Sequence, residues 1–174
     1  FQFSVGLNGV GTKAVNALSE HFRVVSVRDG KLAEAIFERG KLIKERTGSA
    51  KPDVKNGTYV EFIPDKQVFG EFAFNQEFIE RRMWNYAYLN AGLTINYNGQ
   101  KFISQNGLHD LLTSELEGES LYPVGYFKGK QLEFSFTHSN AYGENYFSFV
   151  NGQYTSDGGT HLSAFKEGFL KGVN

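Results

Sequence analysis

The doublet Asp29-Gly30, set between two runs in which apolar and polar residues alternate, constrains this chain more than any other feature. A two-residue hairpin turn needs positive φ at its centre, which glycine adopts freely and aspartate tolerates. The flanks fit that turn. Phe22 to Arg28 reads as one strand, and Lys31 to Glu38 as its partner, with Leu32, Glu34 and Ile36 on one side and Ala33, Ala35 and Phe37 on the other. Arg39-Gly40 supplies a second turn into a third strand. Thr47 to Asn56 is polar, contains Pro52 and lacks periodicity, so it reads as an exposed loop before a strand from Thr58 to Ile63 that Pro64 closes.

Beyond Pro64 the pattern is irregular until Asn75, which has the character of an N-cap. The helix after it should bury Ile79, Met83, Tyr86, Ala87 and Asn90. Asn98-Gly99 then joins strands over Leu93 to Tyr97 and Gln100 to Ser104, and a short helix is expected around Leu108 to Leu116. Gln131 to His138 alternates on one face, and the aromatic stretch Asn145 to Val150 is expected to pair with it. Thr160 should cap a final helix whose apolar side holds Leu162, Phe165 and Phe169. Helices interleaved with antiparallel hairpins make the class α+β.

Charge and composition narrow the function classes. The net charge of −1 argues against a self-sufficient nucleic-acid binder, whose affinity would come from neutralising phosphates. Lys and Arg outnumber Asp and Glu by ten to six over residues 1–60, but are outnumbered eight to thirteen over 61–174. That split fits two units with different jobs, although charges of this size are more often plain solvated surface. There is no cysteine, so disulfides and thiolate metal sites are excluded. No apolar run approaches the roughly 20 residues of a membrane span, and a cytoplasmic location is expected, with no membrane partner. His21, His109, His138 and His161 are too scattered to predict a metal site.

Gly6-Leu7-Asn8-Gly9-Val10-Gly11 precedes a helix with Val10, Ala14, Val15 and Leu18 along one face, ending near Ser19. Three glycines in six residues leave backbone N–H groups unobstructed at the positive end of a helix dipole, which suits an anion. A tight turn needing only positive φ is the alternative. Two familiar phosphate motifs do not fit. The last glycine is followed by Thr12-Lys13 where a Walker A loop needs Lys then Ser or Thr, and the glycine spacing differs from the dinucleotide fingerprint.

The loop, followed by Val15-Asn16-Ala17-Leu18-Ser19, resembles the ATP lid of gyrase-type (GHKL) ATPases, and specifically the ATPase subunits of bacterial type IIA DNA topoisomerases. Asn56-Gly57-Thr58 is similar to the family's Gly-Thr at the adenine pocket. Tyr88-Leu89-Asn90-Ala91-Gly92 resembles the opening of its transducer, and Asp157-Gly158-Gly159-Thr160-His161 its Gly-Gly-Thr-His signature. A topoisomerase IV B subunit is the nearer likeness, with a gyrase B subunit next.

The resemblance implies that residues 1–74 form the C-terminal part of an ATPase two-layer sandwich and 75–174 the first part of a ribosomal-protein-S5-like transducer. It implies ATP and Mg2+ as cofactors, with Gly6, Leu7, Asn8, Gly9, Val10, Gly11 and Thr12 around the phosphates and Thr58 near the adenine. Asn8 replaces a histidine common in relatives; an amide still donates to phosphate but carries no charge. The water-activating glutamate, the magnesium asparagine and the adenine-reading aspartate are expected before Phe1 and the γ-phosphate lysine after Asn174, so no catalytic or metal residue is assigned within the chain. The implied partners are the DNA-cleaving A-type subunit, double-stranded DNA, and a second copy of the ATPase subunit on nucleotide binding. Relaxation, decatenation and supercoiling are not distinguished. A module of the same fold that senses nucleotide or mediates dimer contact without turnover is the alternative, and a chaperone or histidine kinase of the same superfamily fits less well. Arg81 and Arg82 are read as solvated, with DNA contact as the alternative. Trp84, Tyr86 and Tyr88 are read as packing residues, and His161 as fixing the turn into the last helix.

Overall fold

The computed structural model describes residues 9–173, which separate into two compact units between Phe74 and Asn75. Both combine helices with antiparallel strands, and the class is α+β.

In the first unit, helix α1 (Val10–Ala17) leads into strands β1 (Ser19–Arg28), β2 (Lys31–Glu38), β3 (Lys41–Ser49) and β4 (Gly57–Pro64), followed by the one-turn helix α2 (Lys66–Phe69). The sheet order is β3-β2-β1-β4, antiparallel throughout. Both turn doublets take the positive φ that their composition suggests, 51° and 75° at Asp29-Gly30 and 48° and 78° at Arg39-Gly40. Two boundaries differ from expectation. β1 begins at Ser19 because Ser19 pairs with Pro64, and β3 runs on to Ser49, opposite Lys31, through residues expected to be loop. The weak apolar content of 47–49 hides that extension, since an edge strand needs only its ladder bonds.

Phe22 is the centre of the apolar face, 3% exposed, with Phe37 edge-on at 6.1 Å and Phe62 opposite it in the ladder. The other face carries a row of alternating charge across all four strands. Arg46 of β3 and Arg23 of β1 both donate to Glu34 of β2, the Arg23 bond measuring 2.7 Å, and Arg23 lies 4.0 Å from Glu61 of β4. Tyr59 donates to Glu61 at 2.6 Å. These bonds hold the Glu34 and Glu61 carboxyls below the usual carboxylate range, through Arg23 and then Arg46 at Glu34 and through Tyr59 first at Glu61.

In the second unit, α3 (Gln76–Leu89) starts at Asn75, whose side chain accepts from the Phe78 N–H at 3.1 Å. Ala87 is fully buried, but Tyr86 and Asn90, expected on the buried face, are exposed. The packing side instead runs through Trp84 and Tyr88, stacked at 5.4 Å, with the buried Phe102 edge-on to Trp84 at 5.2 Å. Phe102 ends the hairpin of β5 (Ile95–Tyr97) and β6 (Gln100–Phe102), shorter than expected but with its turn at Asn98-Gly99. Gly107, at φ 59°, precedes α4 (Leu108–Glu115); a Cβ there would lie 3.1 Å from the Tyr88 carbonyl oxygen, so this approach of α3 and α4 requires glycine.

The expected pairing of 131–138 with 145–150 is not formed. β8 (Glu133–Phe136) pairs with β7 (Gly125–Lys128), and β9 (Phe149–Val150) pairs with β10 (Gln153–Tyr154) across an Asn151-Gly152 turn. Aromatic enrichment marks strands without choosing their partners, and a short turn makes the local hairpin entropically cheaper than the longer closure. α5 (Thr160–Val173) packs Phe165 and Phe169 edge-on against Phe134 and Phe136 at 5.0 and 5.1 Å. Thr160 is its first helical residue rather than a cap outside it.

Candidate phosphate-binding site

Of the glycine segment, Gly6, Leu7 and Asn8 lie outside the described residues. Gly9 is the N-cap of α1, with φ 61° and ψ 24°, a left-handed conformation that a side chain would strain. Val10, Gly11 and Thr12 form the first helical turn, and Gly11 has no positive φ. A Cβ at Gly9 or Gly11 would meet nothing within 4 Å, so these glycines are required by no neighbour among the described residues.

Electrically, this helix start differs from those of α2, α3 and α4. α2 and α3 each have one first-turn amide, the N–H of Gln67 and of Phe78, satisfied by the Asp65 and Asn75 side chains. The first turn of α4 includes Asp110, which accepts from the Asn106 side chain and backbone and from the Ser104 hydroxyl. α1 has neither a side-chain cap nor an acidic residue in its first turn. Its leading N–H groups therefore keep the positive end of the dipole unneutralised, which fits a polyanion of the phosphate type. The expected apolar face of α1 is not buried: Val10, Val15 and Leu18 are 38–58% exposed.

Attachment of this helix to the sheet is concentrated at its C-terminal end. The Leu18 carbonyl accepts from the Asp65 N–H at 3.0 Å, the Ser19 carbonyl from the Arg39 N–H at 2.8 Å, and the Ser19 hydroxyl donates back to the Val15 carbonyl at 2.5 Å. Arg39 and Asp65 then meet through two bonds, Nε to Oδ2 at 2.5 Å and Nη2 to Oδ1 at 3.2 Å. Asp65 is 3% exposed and also accepts from the Gln67 N–H. Arg39 holds the Asp65 carboxyl below the ordinary aspartate range, and Asp65 raises the Arg39 guanidinium in turn. Sequence reasoning missed this junction. Its only local sign is Asp65 before a short helix, because the partners are 26 residues apart.

Thr58 is exposed on β4 opposite Ser26, on the sheet face that also carries Phe22 and Phe62. α1 joins β1 at Ser19, so Thr58 pairs seven residues further along that strand, roughly 24 Å at about 3.4 Å per residue. Asn56 accepts from the Asp29 N–H at 2.8 Å and donates to the Asp29 carboxylate at 3.1 Å, fixing the strand start to the hairpin turn. In the second unit, His161 Nε2 lies 2.7 Å from the hydroxyl of the buried Ser148, which ties the first turn of α5 to the approach to β9. Arg81 is exposed and 3.7 Å from Glu77, while Arg82 lies over the Phe78 ring at 5.3 Å.

The fold is that of a gyrase-type ATPase region. The 43K ATPase domain of Thermus thermophilus gyrase B, solved in complex with an aminocoumarin, superposes with a TM-score of 0.77 at 32% identity, covering 96% of this chain and 52% of that one. Residues 96–174 match the DNA gyrase B family model. The DNA topoisomerase 4 B subunit of Borreliella burgdorferi is 57% identical over 100% of this chain, and the DNA gyrase B subunit of Helicobacter pylori 33% identical over 99%. This chain belongs to the family of bacterial type IIA topoisomerase B subunits. It spans 29% and 24% of the lengths of those two relatives. Among the described residues no helix is long and apolar enough to cross a membrane.

Proposed function

We propose that this chain contributes the phosphate lid of an ATP site, and the start of the adjoining transducer, to a type IIA topoisomerase B subunit. On this reading residues 1–74 belong to the ATPase domain and 75–174 to the transducer. The observation that carries it is the uncapped, acid-free first turn of α1 behind the left-handed Gly9. A side-chain cap or an acidic first-turn residue would compete with phosphate for the same amides.

Gly6 to Thr12 would hold the nucleotide phosphates through backbone N–H groups, and Thr58 would hydrogen-bond near the base. When bound with Mg2+, ATP supplies the phosphoanhydride whose cleavage the full subunit performs. Gly9 and Gly11 keep the approach to the amides clear of side chains. The first-turn amides orient the phosphate charge, and Lys13 adds positive charge on the second turn. No residue of this chain is assigned to water activation, so the chain alone is expected not to hydrolyse ATP. In the whole enzyme, ATP binding and hydrolysis would close a dimer gate and drive duplex passage with the A-type subunit.

The test is Gly9→Val in the B subunit carrying this sequence, measured by equilibrium ATP binding, strand passage and DNA mobility shift. ATP binding and strand passage should be lost while DNA binding persists. Normal ATP affinity in the folded variant would remove α1 from the phosphate site.

A further inference from the structure

We infer that Arg39 and Asp65 are positioning residues for the phosphate lid, an inference that rests on the ATP-site reading above. The two side chains bond to each other, and their own backbone N–H groups bond to the carbonyls of Ser19 and Leu18, the residues that leave α1. One ion pair thereby joins the β2–β3 turn, the end of β4 and the C-terminus of α1. The same turn approaches the helix directly, since the Cβ position of Gly40 lies 3.3 Å from the Ala17 Cα.

α1 buries none of its residues, and Val10, at its lid end, is 58% exposed. Its direction is therefore set chiefly where it is fastened, at the far end from Gly9. An eight-residue helix is about 12 Å long, so a swing of roughly 10° about Ala17 moves the lid amides by about 2 Å. Hydrogen bonds to phosphate oxygens tolerate only a few tenths of an ångström around 2.7–3.2 Å. A small loosening at Arg39 and Asp65 is amplified into loss of phosphate contacts, although neither side chain is among the proposed nucleotide contacts.

The geometry of the pair also matters. Arg39 presents two guanidinium nitrogens to the two carboxylate oxygens, a fork that lysine does not reproduce and methionine abolishes. Asp65→Asn keeps an oxygen to cap α2 while removing the charge, so it separates the ion pair from the cap.

The experiment uses the B subunit carrying this sequence, with Arg39→Met, Arg39→Lys and Asp65→Asn compared with Gly9→Val. Hydrogen exchange is followed in peptides covering 10–18 and, as the folding control, in those covering β1 and β2. ATP hydrolysis gives KM and kcat. Arg39→Met and Asp65→Asn should speed exchange over 10–18 about tenfold with the sheet peptides unchanged. They should raise KM for ATP about tenfold and leave kcat within about twofold, with Arg39→Lys falling between. Unchanged exchange over 10–18 would overturn the inference. So would faster exchange with an unchanged KM, provided Gly9→Val raises KM or abolishes hydrolysis, and the ATP-site reading would then stand. If Gly9→Val also leaves KM unchanged, that reading fails and the inference falls with it.

Discussion

Phe102→Ala should unfold the second unit far more readily than any surface change, and the chain carries its own reporter for the measurement. Phe102 is fully enclosed, edge-on to Trp84 at 5.2 Å, and Trp84 is the single tryptophan. Truncating a buried phenylalanine costs about 3–5 kcal/mol, combining lost transfer energy with the cavity left behind. The upper half of that range applies, because exposure is nil and the aromatic pair, worth roughly 0.5–1.5 kcal/mol, is lost too. With a urea slope of about 2 kcal/mol/M, a loss of about 4 kcal/mol lowers the midpoint by roughly 2 M. Urea titration followed by Trp84 emission reads this directly and is blind to the unit ending at Phe74, which has no tryptophan. Phe102→Leu, retaining most of the apolar volume, should cost about 1–1.5 kcal/mol. A midpoint shift below about 0.5 M for Phe102→Ala would show that this ring is not the centre of that core.

Two further outcomes follow from the first unit. Thr58→Ala should weaken ATP binding by the B subunit about two- to tenfold, the worth of roughly 0.5–1.5 kcal/mol for one hydrogen bond, and calorimetry showing no change would remove Thr58 from the base pocket. Because Asp65, Glu34 and Glu61 are all depressed in the folded state, their stabilisation is complete above the unfolded carboxyl value of about 4 and is lost as pH falls through the folded values. The β1–β4 resonances should persist from pH 7 to 5 and collapse only below about pH 4; loss between pH 7 and 5 would refute this assignment.

Legibility in the sequence followed the range of the interaction. The Asp29-Gly30, Arg39-Gly40 and Asn98-Gly99 turns were readable because the positive φ they need is set by two adjacent residues. Asn151-Gly152 carries the same signal, and reading it would have identified the β9–β10 hairpin in place of the misassigned pairing with 131–138. Gly125 to Lys128 has too little alternation to mark a strand, and β7 is defined by its partner β8. At the candidate site, Gly9 was visible as a glycine that needs freedom, whereas the role of Gly11 was blurred, since it adopts ordinary helical backbone. The Arg39–Asp65 junction was invisible, because nothing local links a turn residue to a helix cap 26 positions later.

The charged row across the sheet has a further consequence for how the strands find one another. Reading from β3 to β4, Arg46, Glu34, Arg23 and Glu61 alternate in sign, so each strand carries the complement of its neighbour at one position. A slip of one residue would turn Glu34 to the face occupied by Phe22 and Phe37. A slip of two between β2 and β3 would place Gly48 or Lys44 opposite Glu34 in place of Arg46: Gly48 removes the β3 end of the row, whereas Lys44 keeps the sign of the charge but not the guanidinium. The row thus acts as a checksum on assembly: a sheet misaligned by one residue satisfies its backbone ladder but fails the side-chain parity.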